Sequence, residues 1–181
     1  MKKVIALTII FIFAMSSLGM CAVPDPGAGI GSVQVGYNYY NLDKSAGGTS
    51  GFNEIYGSVG LGLGYGAFIS HAQSSETSYT DYGLKSSLLP NIALLVGERH
   101  MATDNAASDN NLFYGVAVNQ PLFAGIGVYG TYQNGRHFDD TVIGLTYDLN
   151  KNSQFDLSWK KYEDNNHATF KGIGAGINFK F

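Results

Sequence analysis

Along most of this chain, apolar residues alternate with polar or small ones at a period of two. That spacing sends successive side chains to opposite faces of a β-strand. The C-terminus is the clearest case: Ile173, Ala175, Ile177, Phe179 and Phe181 alternate with Gly172, Gly174, Gly176, Asn178 and Lys180. Val33, Val35, Tyr37 and Tyr39 alternate with Gln34, Gly36, Asn38 and Tyr40. Ile55, Gly57, Val59, Leu61 and Leu63 alternate with Glu54, Tyr56, Ser58, Gly60 and Gly62. A fourth run sets Tyr82, Leu84 and Leu88 against Asp81, Gly83, Lys85 and Ser87. Leu112, Tyr114, Val116 and Val118 mark a sixth, and Ala124, Ile126, Val128 and Tyr132 a seventh. Ile143, Leu145, Tyr147 and Leu149 oppose Gly144, Thr146 and Asp148; Phe155, Leu157 and Trp159 oppose Asp156, Ser158 and Lys160. The third and fifth runs, about 65–73 and 92–101, alternate less cleanly. The pattern predicts ten strands of roughly nine to thirteen residues, the length a tilted strand needs to cross a bilayer.

The connections alternate in length. Short turns fall at 62–64, 89–91, 119–121 and 150–152, and longer polar links at 43–51, 74–78, 102–111, 134–139 and 163–167. Apolar outside with small or polar inside reverses the pattern of a soluble barrel and fits strands between lipid and a lumen. The expected fold is all-β: an antiparallel up-and-down transmembrane β-barrel of ten strands, with eight as the alternative if the third or fifth run is misread. Closure satisfies every backbone group within lipid.

Composition moves in the same direction. The 24 glycines fall inside the alternating runs as well as in turns, the 12 tyrosines suit a membrane interface, and charged residues are only 14% of the chain. Lys2 and Lys3 precede an apolar run from Val4 to Met15 and then Ser16, Ser17 and Gly19, the order of a secretory signal peptide. We expect a signal peptide at 1–22, a lead-in at 23–31 and one barrel domain at 32–181. Leu18-Gly-Met-Cys21 faintly resembles a lipoprotein box, with Met20 atypical before the cysteine. Cleavage after Ala22 removes the single cysteine, so disulfides contribute nothing to the mature chain. The full chain carries a net charge of −3 with no basic cluster, which argues against nucleic acid as a partner.

A strand ending the chain on Phe181, with Ile177 and Phe179 on the same face, resembles the C-terminal assembly signal of bacterial outer-membrane barrels. Over nearly the whole mature length the chain resembles the small outer-membrane β-barrels of the opacity/porin-like superfamily. The resemblance implies residence in the outer membrane, partners in outer-membrane lipid and lipopolysaccharide, and delivery to the barrel-assembly machinery through the last strand. It implies a non-enzymatic envelope protein or narrow porin-like channel. The alternatives are an adhesion protein acting through its loops and a membrane-embedded hydrolase at the outer rim.

The chemistry legible in the sequence is sparse. The inward parity carries Glu54, Lys85, Asp148, Asp156 and Lys160, which either ring a pore and set its selectivity or pair across a narrow barrel and fill it. Gly125, Gly127 and Gly130 match G-x-G-x-x-G, but strand and turn follow in place of the helix that a dinucleotide fingerprint needs. His71, His100, His137 and His167 lie near the predicted outer ends beside Glu76, Asp104, Asp139, Asp140, Glu163 and Asp164. Ten-stranded outer-membrane proteases resemble this in placing Asp and His pairs at the rim, although no motif matches residue by residue. No catalytic, cofactor or metal motif is present, since metal ligands are usually pinned at spacings such as His-x₃-His. Lys171 falls on the lipid-facing parity at outer-headgroup height, with Lys161 placed similarly, and both suit lipopolysaccharide phosphates. The links carry few of the aromatic and Arg side chains that anchor binding hot spots, Arg136 and Phe138 being the exceptions.

Overall fold

The computed structural model describes residues 30–75, 77–103, 108–164 and 168–181. The expected signal peptide, Glu76, Asp104 and His167 lie outside the described residues.

Ten strands form one closed antiparallel barrel, each paired with its sequence neighbours and the last with the first. They are β1 Val33–Lys44, β2 Thr49–Gly62, β3 Tyr65–Gln73, β4 Thr77–Leu89 and β5 Ile92–Thr103. They continue as β6 Asp109–Pro121, β7 Ile126–Gly135, β8 Phe138–Asn150, β9 Ser153–Asp164 and β10 Thr169–Lys180. The seam pairs Gln34 with Lys180 through to Lys44 with Phe170. Beyond it, Val33 and Phe181 exchange backbone bonds of 2.9 and 3.1 Å, so the terminal residue is itself part of the ladder.

Ten strands, not eight, is the answer, and the two ambiguous runs are full members of the sheet. The links are shorter than the sequence suggests, because polar residues that look like loop continue the ladder. Asn134 and Asp139 pair across β7 and β8, leaving only Arg136 and His137 between those strands. The turn expected at 119–121 lies instead at 122–125, since Asn119, Gln120 and Pro121 still pair with β7. Ala124, expected in the seventh strand, sits in that turn with φ 50 beside Gly125 at φ 77. Two successive positive φ values match the right-handed twist of the flanking strands, as they do at Leu63 and Gly64.

Alternation sorts the side chains as expected on most strands. β1 alternates exposed and buried over nearly its whole length. Ile143, Leu145, Leu157, Ile173, Val96 and Leu84 are exposed on the outer face, with Tyr39, Tyr82, Tyr114, Tyr132 and Trp159 toward the loop end. The register puts Trp159 beside Ile173 on one side and Ile143 on the other, so the outer apolar surface is continuous across strands.

The interior is filled, and it changes character along the axis. Toward the loops it is aromatic: Phe52, Tyr79, Tyr162, Phe138 and Phe113 form a chain of ring contacts, with Phe170 touching Phe52 and Tyr162. Toward the short turns it is polar on the side of β1, β2, β9 and β10, with Gln34, Asn38, Ser58, Asn178, Gln154 and Ser158 all buried, and apolar on the side of β5 and β6, where Ala93, Leu95 and Ala117 are buried. Tyr56 donates to Asn178 Oδ1 and Ser158 to Asp156 Oδ1 within that half. Room for the rings comes from glycines directly opposite them. The cross-strand pairs are Gly36 with Tyr56, Gly83 with Phe68, Gly97 with Phe113, Gly144 with Tyr129 and Gly174 with Tyr40. A ring leaning over a partner glycine covers that strand's backbone and excludes water from its ladder.

Candidate functional site in the barrel interior

Just below the aromatic layer lies a network of charges contributed by five strands. Arg99, inward on β5, stands directly opposite Asp81 on β4. Its Nε and Nη2 donate to the two Asp81 carboxylate oxygens at 2.6 and 2.7 Å, the side-on fork that a planar guanidinium allows. Nη2 also reaches Gln133 Oε1 at 3.1 Å and Asp140 Oδ2 at 3.2 Å. The guanidinium carbon lies 4.0 Å from the Tyr79 ring centre and 3.8 Å from that of Phe138, so the cation is held between two aromatic faces.

Lys160 on β9 extends the network. Its Nζ lies 3.3 Å from Asp140 Oδ2 and 3.4 Å from Glu54 Oε2, and it donates to the Tyr79 hydroxyl at 2.8 Å. Asp140 thus bridges the two cations, and Glu54, Asp81 and Asp140 answer Arg99 and Lys160. The side chains of Arg99, Asp81, Asp140 and Lys160 are each exposed by 4% or less. In such surroundings a charge stays ionised only if it is paired and hydrogen-bonded, and here the partners are in place. Beneath the network is a cavity of about 60 Å³, lined among others by Asn38, Tyr40, Tyr129 and Thr131.

The five charges picked from the sequence all face inward, but they do not act together. Glu54 and Lys160 meet in the network. Lys85 is buried in the polar half. Asp156 accepts from Ser158 at 3.0 Å, and Asp148, near the short-turn end, accepts from Gln154 at 2.6 Å. Arg99, Asp81 and Asp140 complete the network and were not among the residues picked. Asp81 shares the parity of Gly83 and Lys85, and Asp140 that of Gly144, so two of the three were within reach of alternation. Arg99 was not: β5 carries Leu95 on its inner face and Leu94 and Val96 on its outer one, so parity there is silent.

Among the described residues the rim histidines His71, His100 and His137 do not converge on one site. His71 shares a hydrogen bond with Thr80 at 2.9 Å and His100 donates to Asn110 at 2.6 Å, each across the sheet on the outer face. His137 donates to Asp109 at 2.6 Å. Asp109 sits at the loop end of β6, beyond the apolar belt, and this bond, with a second from Asn111, holds its carboxyl below the usual carboxylate range. Among the described residues no three His, Cys, Asp or Glu side chains are placed to hold a metal ion. Gly125 lies in a turn and Gly127 and Gly130 in β7, so no helix follows the glycine motif. Lys161 and Lys171 stand opposite each other on the outer face, with Lys161 bonded to Glu163 at 2.9 Å. Ile177 and Phe179 share the outward parity of β10, and Phe181, one residue beyond it, is exposed.

No protein-family model matches this chain, and no curated protein does. Among solved structures it is similar to the KdgM porin, at 11% identity and a TM-score of 0.45 over 82% of this chain and 99% of that one. It is similar to the NanC porin at 10% identity and a TM-score of 0.46, over 80% of this chain and 100% of that one. The attachment invasion locus protein Ail of Yersinia pestis matches at 11% identity and a TM-score of 0.37, over 85% and 99% of the two chains. Similarities of this size concern barrel architecture and nothing finer.

Proposed function

We propose that this chain is an integral β-barrel of a bacterial outer membrane whose interior is closed, acting as a structural element of the envelope and not as an enzyme or open channel. The continuous outer apolar surface, the ladder closed at every strand and the basic–apolar–small order of the N-terminus support the location. The closed interior carries the functional reading. Side chains from β2, β4, β5, β8 and β9 meet across the barrel in one charge network, and stacked rings cover it on the loop side. An ion crossing that layer would have to displace Arg99 or Lys160 from a buried carboxylate, at a cost of several kcal/mol.

Partners follow from the same surfaces. Lys161 and Lys171, above Trp159 and Ile173 on the outer face, suit the phosphates of lipopolysaccharide and outer-leaflet lipid. The outward Ile177, Phe179 and Phe181 suit recognition of the last strand by the barrel-assembly machinery. Links of a few residues, such as 136–137, leave little material for specific adhesion.

The test is conductance of the detergent-refolded protein in a planar bilayer, after a heat-modifiable gel shift has confirmed folding. Silence is the expected outcome. Steady, reproducible openings would overturn the closed-barrel reading and make Glu54 and Lys160 selectivity residues.

A further inference from the structure

The cavity beneath the network is lined by Glu54, Asp81 and Asp140 but by only two cations, Arg99 and Lys160. One negative charge is left over in a region that water reaches poorly, and deeper in the barrel Lys85 and Asp156, one of each sign, leave that balance unchanged. An uncompensated buried charge is expensive enough that something must neutralise it.

A second observation is independent of charge. Asp140 Oδ1 and Asn38 Oδ1 are buried without a hydrogen-bond partner in the protein, and both residues line this cavity. Asp140 spends its other oxygen on both Arg99 and Lys160, and Asn38 gives its amide nitrogen to Tyr40 at 3.3 Å. What remains is a carboxylate oxygen and an amide oxygen, hard donors that suit an alkali cation. About 60 Å³ holds roughly four waters at ~15 Å³ each, or one small ion that keeps part of its hydration. Arg99 Nη1 is likewise buried without a partner, and as a donor it would take a water and not the ion.

We infer that this cavity is a binding site for a monovalent alkali cation, held by Asp140 and Asn38 and neutralising the excess charge of the network. The ion is structural: it ties β1 and β8 together across the interior and stabilises the folded barrel by mass action.

The test is urea unfolding of the refolded full barrel in sodium, potassium or choline chloride at equal ionic strength. The midpoint is expected to rise saturably with sodium or potassium and not with choline, which is too large for the cavity. Asp140→Asn should abolish the difference between salts. Asn38→Ala, which leaves every charge in place, should weaken it and decides the matter if Asp140→Asn does not fold. Equal midpoints in all three salts would mean that water alone fills the cavity, and would overturn the inference. So would a salt difference that survives both variants unchanged, since the ion would then sit elsewhere. Bilayer conductance is a separate readout, so failure here leaves the closed-barrel reading standing.

Discussion

Arg99 and Asp81 face each other on adjacent strands and are joined by two hydrogen bonds of 2.6 and 2.7 Å, with both side chains almost wholly out of water. A contact between neighbouring strands constrains little by itself. The same guanidinium, however, also reaches Asp140 on β8, and Asp140 is shared with Lys160 on β9. The pair therefore anchors a cross-barrel tie, and opposite walls are joined through charged groups as well as around the hydrogen-bonded ladder.

Removing one partner should hurt more than removing both. Arg99→Ala leaves Asp81 buried without its cation, and breaking such a pair costs about 3–5 kcal/mol. Arg99→Met with Asp81→Leu removes both charges and keeps apolar volume, so it should recover much of that loss. Urea unfolding of Arg99→Met, Asp81→Leu and the double gives the coupling directly. Equal losses in the single and double variants would mean that the pair contributes only packing.

Glycine content has a local cause that a matched pair of substitutions exposes. A Cβ at Gly144 would come within 2.4 Å of the Tyr129 ring, whereas at Gly130 the nearest atom is the Val142 carbonyl oxygen at 3.6 Å. Gly144→Ala should destabilise the barrel by about 1–3 kcal/mol through overpacking. Gly130→Ala, on the outer face of β7, should fall within about 0.5 kcal/mol of the parent. The difference in unfolding midpoint between the two variants is the measurement. Its absence would show that the rings do not depend on the opposing glycines.

The same inner aromatics set the limit on what the sequence revealed. Where one face meets lipid and the other meets small polar side chains, as in β1, β8 and β10, alternation is clean and the strands are legible. Where the interior itself is apolar, both faces carry the same residue types and the period of two fades. Phe68 and Ala72 do this to β3, and Ala93 and Leu95 to β5. Those are the two runs that read poorly, and Arg99 lies in one of them. Glu54 and Lys160 were visible as inward charges, but that they meet depends on how the strands close into a ring, which no local pattern records. The loop lengths misled for a simpler reason: Asn, Asp and Gly are poor strand formers, yet at the rim Asn134, Gly135 and Asp139 are held in the ladder by their neighbours.

At the rim, the His137–Asp109 bond predicts a measurable titration. Asp109 should lose its charge at lower pH than an ordinary aspartate, because His137 and then Asn111 donate to its ionised form. A depressed folded-state value contributes stability above the unfolded carboxylate range and loses it as pH falls through the folded value. Both side chains are open to solvent, so the effect on unfolding should be too small to resolve. Carboxyl NMR is the sensitive probe: His137→Ala should move the Asp109 midpoint up. No movement would mean that the bond does not persist in solution.

The aromatic layer makes the closed interior testable from the opposite direction. Phe138 and Tyr162 stack with centroids 6.4 Å apart, and both point inward above the charge network. Truncating either to Ala should cost about 3–5 kcal/mol, as deleting a buried ring does, so folding must be confirmed for each variant. If these rings and the network beneath them are successive barriers, each single truncation should stay silent in a planar bilayer. Phe138→Ala combined with Tyr162→Ala and Arg99→Ala should then conduct. Trp159→Ala supplies the control, since Trp159 neighbours Lys160 on β9 but faces outward and should leave the interior closed. Conduction in the triple variant and silence in Trp159→Ala would place the barrier in these two layers. Silence in a folded triple variant would move it down to the buried polar half, to Lys85, Asn178 and Gln154.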